Sequence, residues 1–139
     1  MSPRRRQDGE SAAADVPPTE ALSELERRVM RLLWEDAPAS AEEVRERLAD
    51  ERELKGSTVR TILRRLEEKG FAAHDVSGRT YLYRPRVPRR AAAVEAVRRV
   101  IDRFCGGSVE ELLVGLVDGD VLTREQIERL QERLGGNDD

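Results

Sequence analysis

The segment that decides the fold is Ser57–Pro85, which reads STVRTILRRLEEKGFAAHDVSGRTYLYRP. Its first part predicts an amphipathic helix from about Ser57 to Lys69, ended by Gly70. At about 100° per residue, four apolar side chains fall on one side of this helix, where they would pack on neighbouring helices. They are Val59, Ile62, Leu63 and Leu66.

The opposite side of this helix carries short hydroxyl side chains near its N-terminus and long cationic side chains beyond them. Arginine binds O6 and N7 of guanine in a bidentate manner, and serine and threonine contact phosphates or base edges. The pattern therefore predicts a recognition helix that lies in the major groove of DNA. The predicted contacts are Ser57, Thr58, Arg60, Thr61, Arg64 and, at the edge of the face, Arg65.

A β-hairpin is predicted directly after this helix. Phe71–Val76 reads as a strand, Ser77-Gly78 as a tight turn, and residues 80–84 as a returning strand rich in threonine and tyrosine. Arg79 lies at the tip, from which it would reach backbone phosphates or an adjacent minor groove. We expect the two tyrosines of the second strand to pack on the sheet rather than stack on bases.

Two shorter helices precede the recognition helix, and each begins with a capping box. Ser23 with Glu26 starts the first helix, and Ser40 with Glu43 starts the second. Three helices followed by a hairpin are the order of a winged helix-turn-helix unit, which we predict over residues 21–88. Residues 1–20 show no hydrophobic period and are predicted to form a disordered tail.

Three more amphipathic helices are predicted over residues 89–135, with a flexible end at 136–139. Helices this short bury little surface alone, so their apolar faces need a partner. We expect that partner to be a second copy of the chain; the alternative is that these helices fold back onto the first lobe. The predicted dimerisation residues are Val94, Val97, Ile101, Phe104, Leu112, Leu113, Leu116, Ile127, Leu130 and Leu134.

The charge of the chain is unevenly distributed. The formal net charge is −3, yet Lys55–Arg90 holds ten basic and three acidic side chains, a net charge of +7. The segments on either side each carry a net charge of −5. A basic block between acidic ones is the electrostatic footprint of a nucleic-acid contact surface, although a solvated arginine-rich face has the same composition.

Composition excludes several other classes of protein. The 139 residues include one cysteine and one histidine, which excludes a disulfide framework and Cys-cluster or two-His metal motifs. No apolar run approaches the roughly 18 residues of a membrane span, and no apolar core follows the basic N-terminal residues as in a secretory signal. No phosphate-binding loop, nucleophile elbow or supported Cys–His pair occurs. We therefore expect a cytoplasmic protein that is not an enzyme and needs no metal or cofactor.

These patterns together predict a mainly α protein with a small β-hairpin wing. A winged helix-turn-helix DNA-binding lobe would be followed by a helical dimerisation lobe. A hypothesis from another class is a winged-helix module that docks other proteins without sequence-specific DNA binding. Such a scaffold would not need the basic block or the hydroxyl and arginine face of the third helix.

Four stretches of the chain resemble the penicillinase-repressor family, of the BlaI/MecI type. Residues 22–34, LSELERRVMRLLW, resemble its opening helix, and residues 58–70 resemble its recognition helix. Residues 78–83, GRTYLY, are similar to its wing, and residues 104–108, FCGGS, to the hinge before its dimer helices. The resemblance runs from about Leu22 to Leu134.

This resemblance implies a homodimeric repressor that sits on a palindromic operator and blocks transcription. It also implies a membrane-bound sensor metalloprotease as a partner, whose signal leads to cleavage of the repressor between its lobes. In antibiotic-responsive members the cut lies at an Asn–Phe bond; the matching bond here is Arg103–Phe104, where arginine replaces asparagine. Copper-responsive, CopY-like relatives carry several C-terminal cysteines and are less similar, because Cys105 is the single cysteine here.

Overall fold

The computed structural model describes residues 16–138. Over these residues the chain forms six α-helices and one two-stranded antiparallel hairpin, preceded by a short 3-10 turn at Thr19–Ala21. This is the predicted mainly helical class with a winged helix-turn-helix unit. The elements are α1 Glu24–Glu35, α2 Ala41–Leu48, α3 Gly56–Glu68, β1 Ala72–Ser77, β2 Thr80–Pro85, α4 Arg89–Phe104, α5 Val109–Asp118 and α6 Arg124–Asp138.

Helices α1 and α2 begin at the two predicted capping boxes. The Ser23 hydroxyl accepts a hydrogen bond from the Glu26 backbone N–H at 3.1 Å, and the Glu26 carboxylate accepts one from the Ser23 N–H at 2.7 Å. The corresponding distances for Ser40 and Glu43 are 3.1 and 2.9 Å. Each box satisfies two of the backbone N–H groups that the start of a helix leaves without partners, and both predictions are confirmed.

The core of the first lobe fixes the orientation of α3. All four apolar residues predicted for its inner side are buried, Ile62 at 5% exposure and the other three completely. They pack with buried residues of α1 and α2, among them Met30, Leu33 and Leu48. Burying one such side chain contributes about 1.5–3 kcal/mol, so four of them hold the opposite side of α3 outward.

Two further contacts hold the hairpin beside the helices. Ala39, just before α2, exchanges two backbone hydrogen bonds with Tyr83 of β2, at 3.0 and 2.8 Å. The Trp34 indole N–H donates to the Val87 carbonyl at 2.8 Å, which anchors the end of the wing on α1. This pairing is an isolated bridge outside the two-stranded hairpin, and the sequence did not predict it.

The tip of the hairpin differs from the prediction by one residue. Ser77 pairs with Thr80, so the two-residue turn is Gly78-Arg79 rather than Ser77-Gly78. Gly78 has φ of +64°, in the left-handed region, and occupies the first turn position, where type II′ turns favour glycine. Arg79 is still at the tip.

The ends of the described chain are more structured than predicted. The sequence predicts a disordered tail over residues 1–20, but Val16 packs against the core and the Thr19 N–H donates to Glu95 of α4 at 2.8 Å. The rest of that predicted tail, residues 1–15, lies outside the described residues. At the other end, the predicted flexible segment 136–139 instead continues α6 as far as Asp138.

The chain divides into two compact units, Met1–Ala96 and Val97–Asp139. The division falls inside α4, eight residues beyond the predicted boundary at 88, because the first turns of α4 pack with the winged helix-turn-helix. In the second unit, the Ser108 hydroxyl caps α5 at 3.2 Å, and Thr123 and Gln126 form a reciprocal cap before α6. No helix among the described residues has the length and apolar character needed to cross a membrane.

An ion pair links the start of α1 to the end of α3. Glu26 is 2% exposed, and its carboxylate accepts a hydrogen bond from Lys69 Nζ at 2.6 Å. Lys69 also donates to the Ala21 carbonyl at 2.7 Å. Burial alone would raise the pKa of the Glu26 carboxyl, but the hydrogen bonds from Lys69 and Ser23 hold it below its ordinary value of 4.5.

Replacing Lys69 with methionine is expected to lower the free energy of unfolding at pH 7 by about 1–3 kcal/mol. The lower part of this range is expected because the Lys69 side chain is 34% exposed and solvent screens the pair. Since the folded-state pKa of Glu26 is depressed, its contribution is present above pH 4.5 and disappears as pH falls through the folded value. Urea denaturation over a pH series from 7 downward measures this change, with Lys55→Met as the control. A difference between wild type and variant that does not shrink at any pH below 4.5 would refute the assignment.

Candidate nucleic-acid interface

The outer side of α3 presents the predicted contact residues to solvent. Ser57, Thr58, Arg60, Arg64 and Arg65 are exposed, whereas Thr61 is half-buried. The Thr61 hydroxyl donates to the Ser57 carbonyl at 3.0 Å, so its hydrogen is used within the helix and its oxygen is left as an acceptor. The apolar stripe behind this face leaves no alternative orientation for α3.

The arginines of this face differ in their surroundings. Among the described residues, no carboxylate forms an ion pair with Arg64 or Arg65. Arg60 lies near Glu42 of α2, whose carboxylate is hydrogen-bonded by Arg45. That hydrogen bond lowers the pKa of Glu42, with a smaller contribution from the charge of Arg60. The two cations without a carboxylate partner are therefore most available to a polyanion.

The N-terminus of α3 adds a feature that the sequence analysis missed. Its first turn contains no acidic residue, its N-cap is Lys55, and no side chain caps its free N–H groups. Uncapped N–H groups and the positive end of the helix dipole favour phosphate, and the exposed Lys55 adds a full charge. Residue types gave no signal for this feature, because Ser57 could itself cap a helix, whereas α3 begins one residue earlier, at Gly56.

The wing supplies a second group of cations. Arg79 is exposed at the turn and forms no ion pair with a described residue. Arg84 lies further down β2 and pairs with Asp75 of β1 at 3.0 Å, which reduces its availability to phosphate. Arg79 is therefore the wing cation best placed to contact DNA.

A cluster of side chains joins the wing to the end of α3. The His74 Nδ1 lies 2.5 Å from the Glu67 carboxylate, and the His74 ring stacks on Tyr81 with centroids 4.1 Å apart. Tyr83 is buried beside them, and this burial, with the nearby charge of Glu67, raises the pKa of its hydroxyl. As expected, both tyrosines pack on the sheet.

The second unit exposes a large apolar surface. Six of the ten predicted dimerisation residues are exposed, three are half-buried, and Ile101 is buried within the single chain. Ile101 therefore belongs to the packing of one chain and needs no second copy to cover it. The exposed six are Val94, Val97, Phe104, Leu113, Leu130 and Leu134, with Val94 in the first unit and the other five in the second.

A cleft between α5 and α6 continues this apolar surface. It has a volume of about 500 Å³ and is lined by Leu113, Val117 and Ile127, with Asp118 and Arg124 among its charged residues. The second unit exposes four valines that the sequence analysis did not select, and three of them, Val109, Val114 and Val121, lie in α5 or just after it.

The predicted cleavage position lies at the end of α4. Phe104 is the last residue of the helix and is 81% exposed. Gly106 and Gly107 follow with φ of +56° and +84°, a conformation that ends the helix and that other residues rarely adopt. The Arg103–Phe104 bond therefore lies in a terminal helical turn next to a glycine hinge.

The fold is that of a winged helix-turn-helix protein, in which α3 and the wing carry the predicted contact residues. No cluster of three or more potential metal ligands occurs in the described part of the chain. The sequence model of the penicillinase repressor family matches residues 22–135. The chain belongs to this family of DNA-binding transcriptional repressors, whose members are not enzymes.

Several proteins are similar in sequence to this chain over most of its length. It is 28% identical over 116 residues to an uncharacterised 16.5 kDa protein from the ptsI 3′ region of Latilactobacillus sakei, covering 84% of this chain and 80% of that protein. It is 26% identical over 113 residues to the penicillinase repressor of Bacillus licheniformis, with 81% and 88% covered. It is 26% identical over 116 residues to the methicillin resistance regulatory protein MecI of Mammaliicoccus sciuri, with 84% and 94% covered.

Two solved structures of a related repressor are also similar. The DNA-binding domain of BlaI aligns with 55% of this chain and 90% of its own length, at 28% identity and a TM-score of 0.48. The monomeric form of Bacillus licheniformis BlaI in complex with the blaP half-operator aligns with 50% of this chain and 85% of its own, at 28% identity and a TM-score of 0.44.

Proposed function

We propose that this chain is a cytoplasmic homodimeric repressor that binds a palindromic operator and blocks transcription. In each half-site α3 lies in the major groove, with Arg64 and Arg60 contacting base edges and Ser57 and Thr58 contacting phosphates or base edges. Arg79 of the wing contacts backbone phosphate. The observation that most strongly supports this proposal is the exposed face of hydroxyl and arginine side chains on α3. Four buried apolar residues on the opposite side of the helix hold this face toward solvent.

Dimerisation is supported by the apolar surface of the second unit. Ordinary monomers rarely expose contiguous apolar patches of more than a few hundred Å². Here α5 and α6 expose Leu113, Leu130 and Leu134 beside an open cleft. Covering this surface with a second copy would place two recognition helices on two half-sites, about one helical turn or a multiple apart.

We also propose that proteolysis of the chain relieves repression. A cut at Arg103–Phe104 would separate the DNA-binding lobe from most of the proposed dimer surface without removing a DNA contact. The exposure of Phe104 and the neighbouring glycine hinge support access by a protease. Because arginine replaces the asparagine of antibiotic-responsive relatives, a membrane sensor metalloprotease acting here would need to accept arginine before the cut.

Selection from random DNA duplexes with the full chain tests this function. The proposal predicts enrichment of one two-fold symmetric sequence, bound by two chains, with half-site centres about 10 base pairs or a multiple apart. Recovery of no enriched sequence from the pool would instead favour the protein-docking hypothesis.

Replacing Arg79 with alanine is expected to weaken binding to the selected operator and to a scrambled duplex by the same factor. A phosphate contact carries no direct sequence information, and its loss should reduce the slope of log K against log salt by about 1. Fluorescence anisotropy at several salt concentrations measures both effects, with Arg129→Ala in exposed α6 as the matched control. Loss of affinity for the operator alone would show that Arg79 reads a base.

A further inference from the structure

A groove in the first unit has no role in the proposed function. It lies between α1, the residues just before it and the first turns of α4, and it has a volume of about 490 Å³. This is within the size range of small-molecule sites, which is about 300–1,000 Å³. No residue of α3 or of the wing lines it. Its accessible apolar surface includes Ala93 and Trp34, the single tryptophan of the chain, while Leu22 and Ala92 line it as buried residues.

Three arginines also line this groove. The Arg89 guanidinium lies 5.9 Å from the centroid of the Trp34 ring, within cation–π distance. Arg31 lines the groove and forms no ion pair with a described residue. Arg27 also lines it and donates to the Leu22 carbonyl at 3.0 Å.

One carboxylate opposes these cations in the lining of the groove. Glu35 lies 4.0 Å from Arg89, at the limit of an ion pair, and both side chains are more than half exposed. The groove therefore combines an apolar surface with a net charge of +2 from its lining residues. A hydrated inorganic ion would make no use of the apolar surface, and a neutral hydrocarbon would make no use of the arginines.

We propose that this groove binds an organic carboxylate with an apolar body. The apolar body lies against Trp34 and Ala93, and the carboxylate is held by Arg31 and Arg89, for which charge-assisted hydrogen bonds are strong. Because Arg89 and Ala92 belong to the first turn of α4, the bound molecule fastens α4 to α1. This inference goes beyond the proposed function and does not depend on it.

Titration with decanoate below its micellar concentration tests the proposal, with the full chain and no DNA present. Because Trp34 is the only tryptophan, the emission comes from this one ring, which lines the groove. We expect a saturable blue shift as the chain displaces water from the indole ring. Decanol supplies the same chain without the charge, and acetate supplies the charge without the chain. Both are expected to bind at least about tenfold more weakly than decanoate.

Two variants and a matched control connect the signal to the arginines. Arg31→Gln and Arg89→Gln should each weaken decanoate binding by about tenfold, while Arg129→Gln in α6 should leave it unchanged. Far-ultraviolet circular dichroism checks that the variants keep their helices. The proposal is overturned if decanoate gives no saturable shift, if decanol binds equally well, or if both variants bind as the wild type does. Operator binding is measured separately, so failure here leaves the repressor proposal intact.

Discussion

Replacing Leu130 and Leu134 together with glutamate is expected to convert the dimer to a monomer and to weaken operator binding by about 10²–10⁴-fold. Both side chains are exposed on one side of α6, at 45% and 63%, where four negative charges per dimer would meet an apolar surface. The large loss arises because the second half-site contact of a dimer is intramolecular. Once the dimer is broken, each recognition helix binds alone.

Sedimentation equilibrium and anisotropy on the full operator measure the two parts of this prediction. The matched control is Arg129→Glu, which also changes the net charge of each chain by −2 but points away from Leu130 on α6. Affinity for a single half-operator duplex should stay unchanged in the double variant, which shows that the DNA-binding unit is intact. A double variant that remains dimeric would refute the proposed interface.

Replacing Arg64 with alanine is expected to cost about 1–3 kcal/mol of operator binding, or about 5- to 150-fold. Arg64 is exposed near the middle of α3 and has no carboxylate partner among the described residues. Its guanidinium group is therefore available to bind O6 and N7 of a guanine. The sequence preference should relax at one base pair in each half-site. The stability of the protein should change little, because the side chain is not part of the core.

Binding of the Arg64→Ala variant to single-base operator variants checks this assignment, again with Arg129→Ala as the control. Unchanged affinity and unchanged base preference would show that α3 does not read the groove through Arg64. An equal loss on operator and scrambled DNA would reassign Arg64 to a phosphate contact.

Local sequence carried much of the information about the fold. The capping boxes at Ser23 and Ser40 are completed by residues three positions on, so both helix starts were predictable. The inner side of α3 was predictable for the same reason, because a period of about 3.6 residues places Val59 and Leu63 together. The exposed face of arginines and hydroxyls follows directly from that assignment.

Contacts between residues distant in sequence were not predictable in this way. Tyr83 pairs with Ala39, 44 residues earlier, and Lys69 pairs with Glu26, 43 residues earlier. No local period marks such partners, because they are set by how the elements pack. The contact between His74 and Glu67 spans only seven residues but runs from a helix to a strand. Neither the helical period of about 3.6 residues nor the strand period of about 2 residues therefore predicts it.

The hairpin turn and the division between the two compact units differ from the predicted positions for different physical reasons. The hairpin turn was misplaced by one residue because Ser77-Gly78 and Gly78-Arg79 both contain the glycine that the turn needs. The predicted boundary at residue 88 rests on Pro88, which ends the hairpin, and on the helical pattern that begins at about Arg89. The first turns of that helix pack with the DNA-binding unit, which a helix boundary does not reveal.

The central claim is that this chain binds one DNA sequence as a dimer. The most direct test is the affinity of the full chain for its selected operator and for a scrambled duplex of equal length, measured across a salt series. At physiological salt we expect binding to the operator to be at least about 10³-fold tighter than to the scrambled duplex, with two chains per operator. Equal affinity for both duplexes at every salt concentration would contradict it.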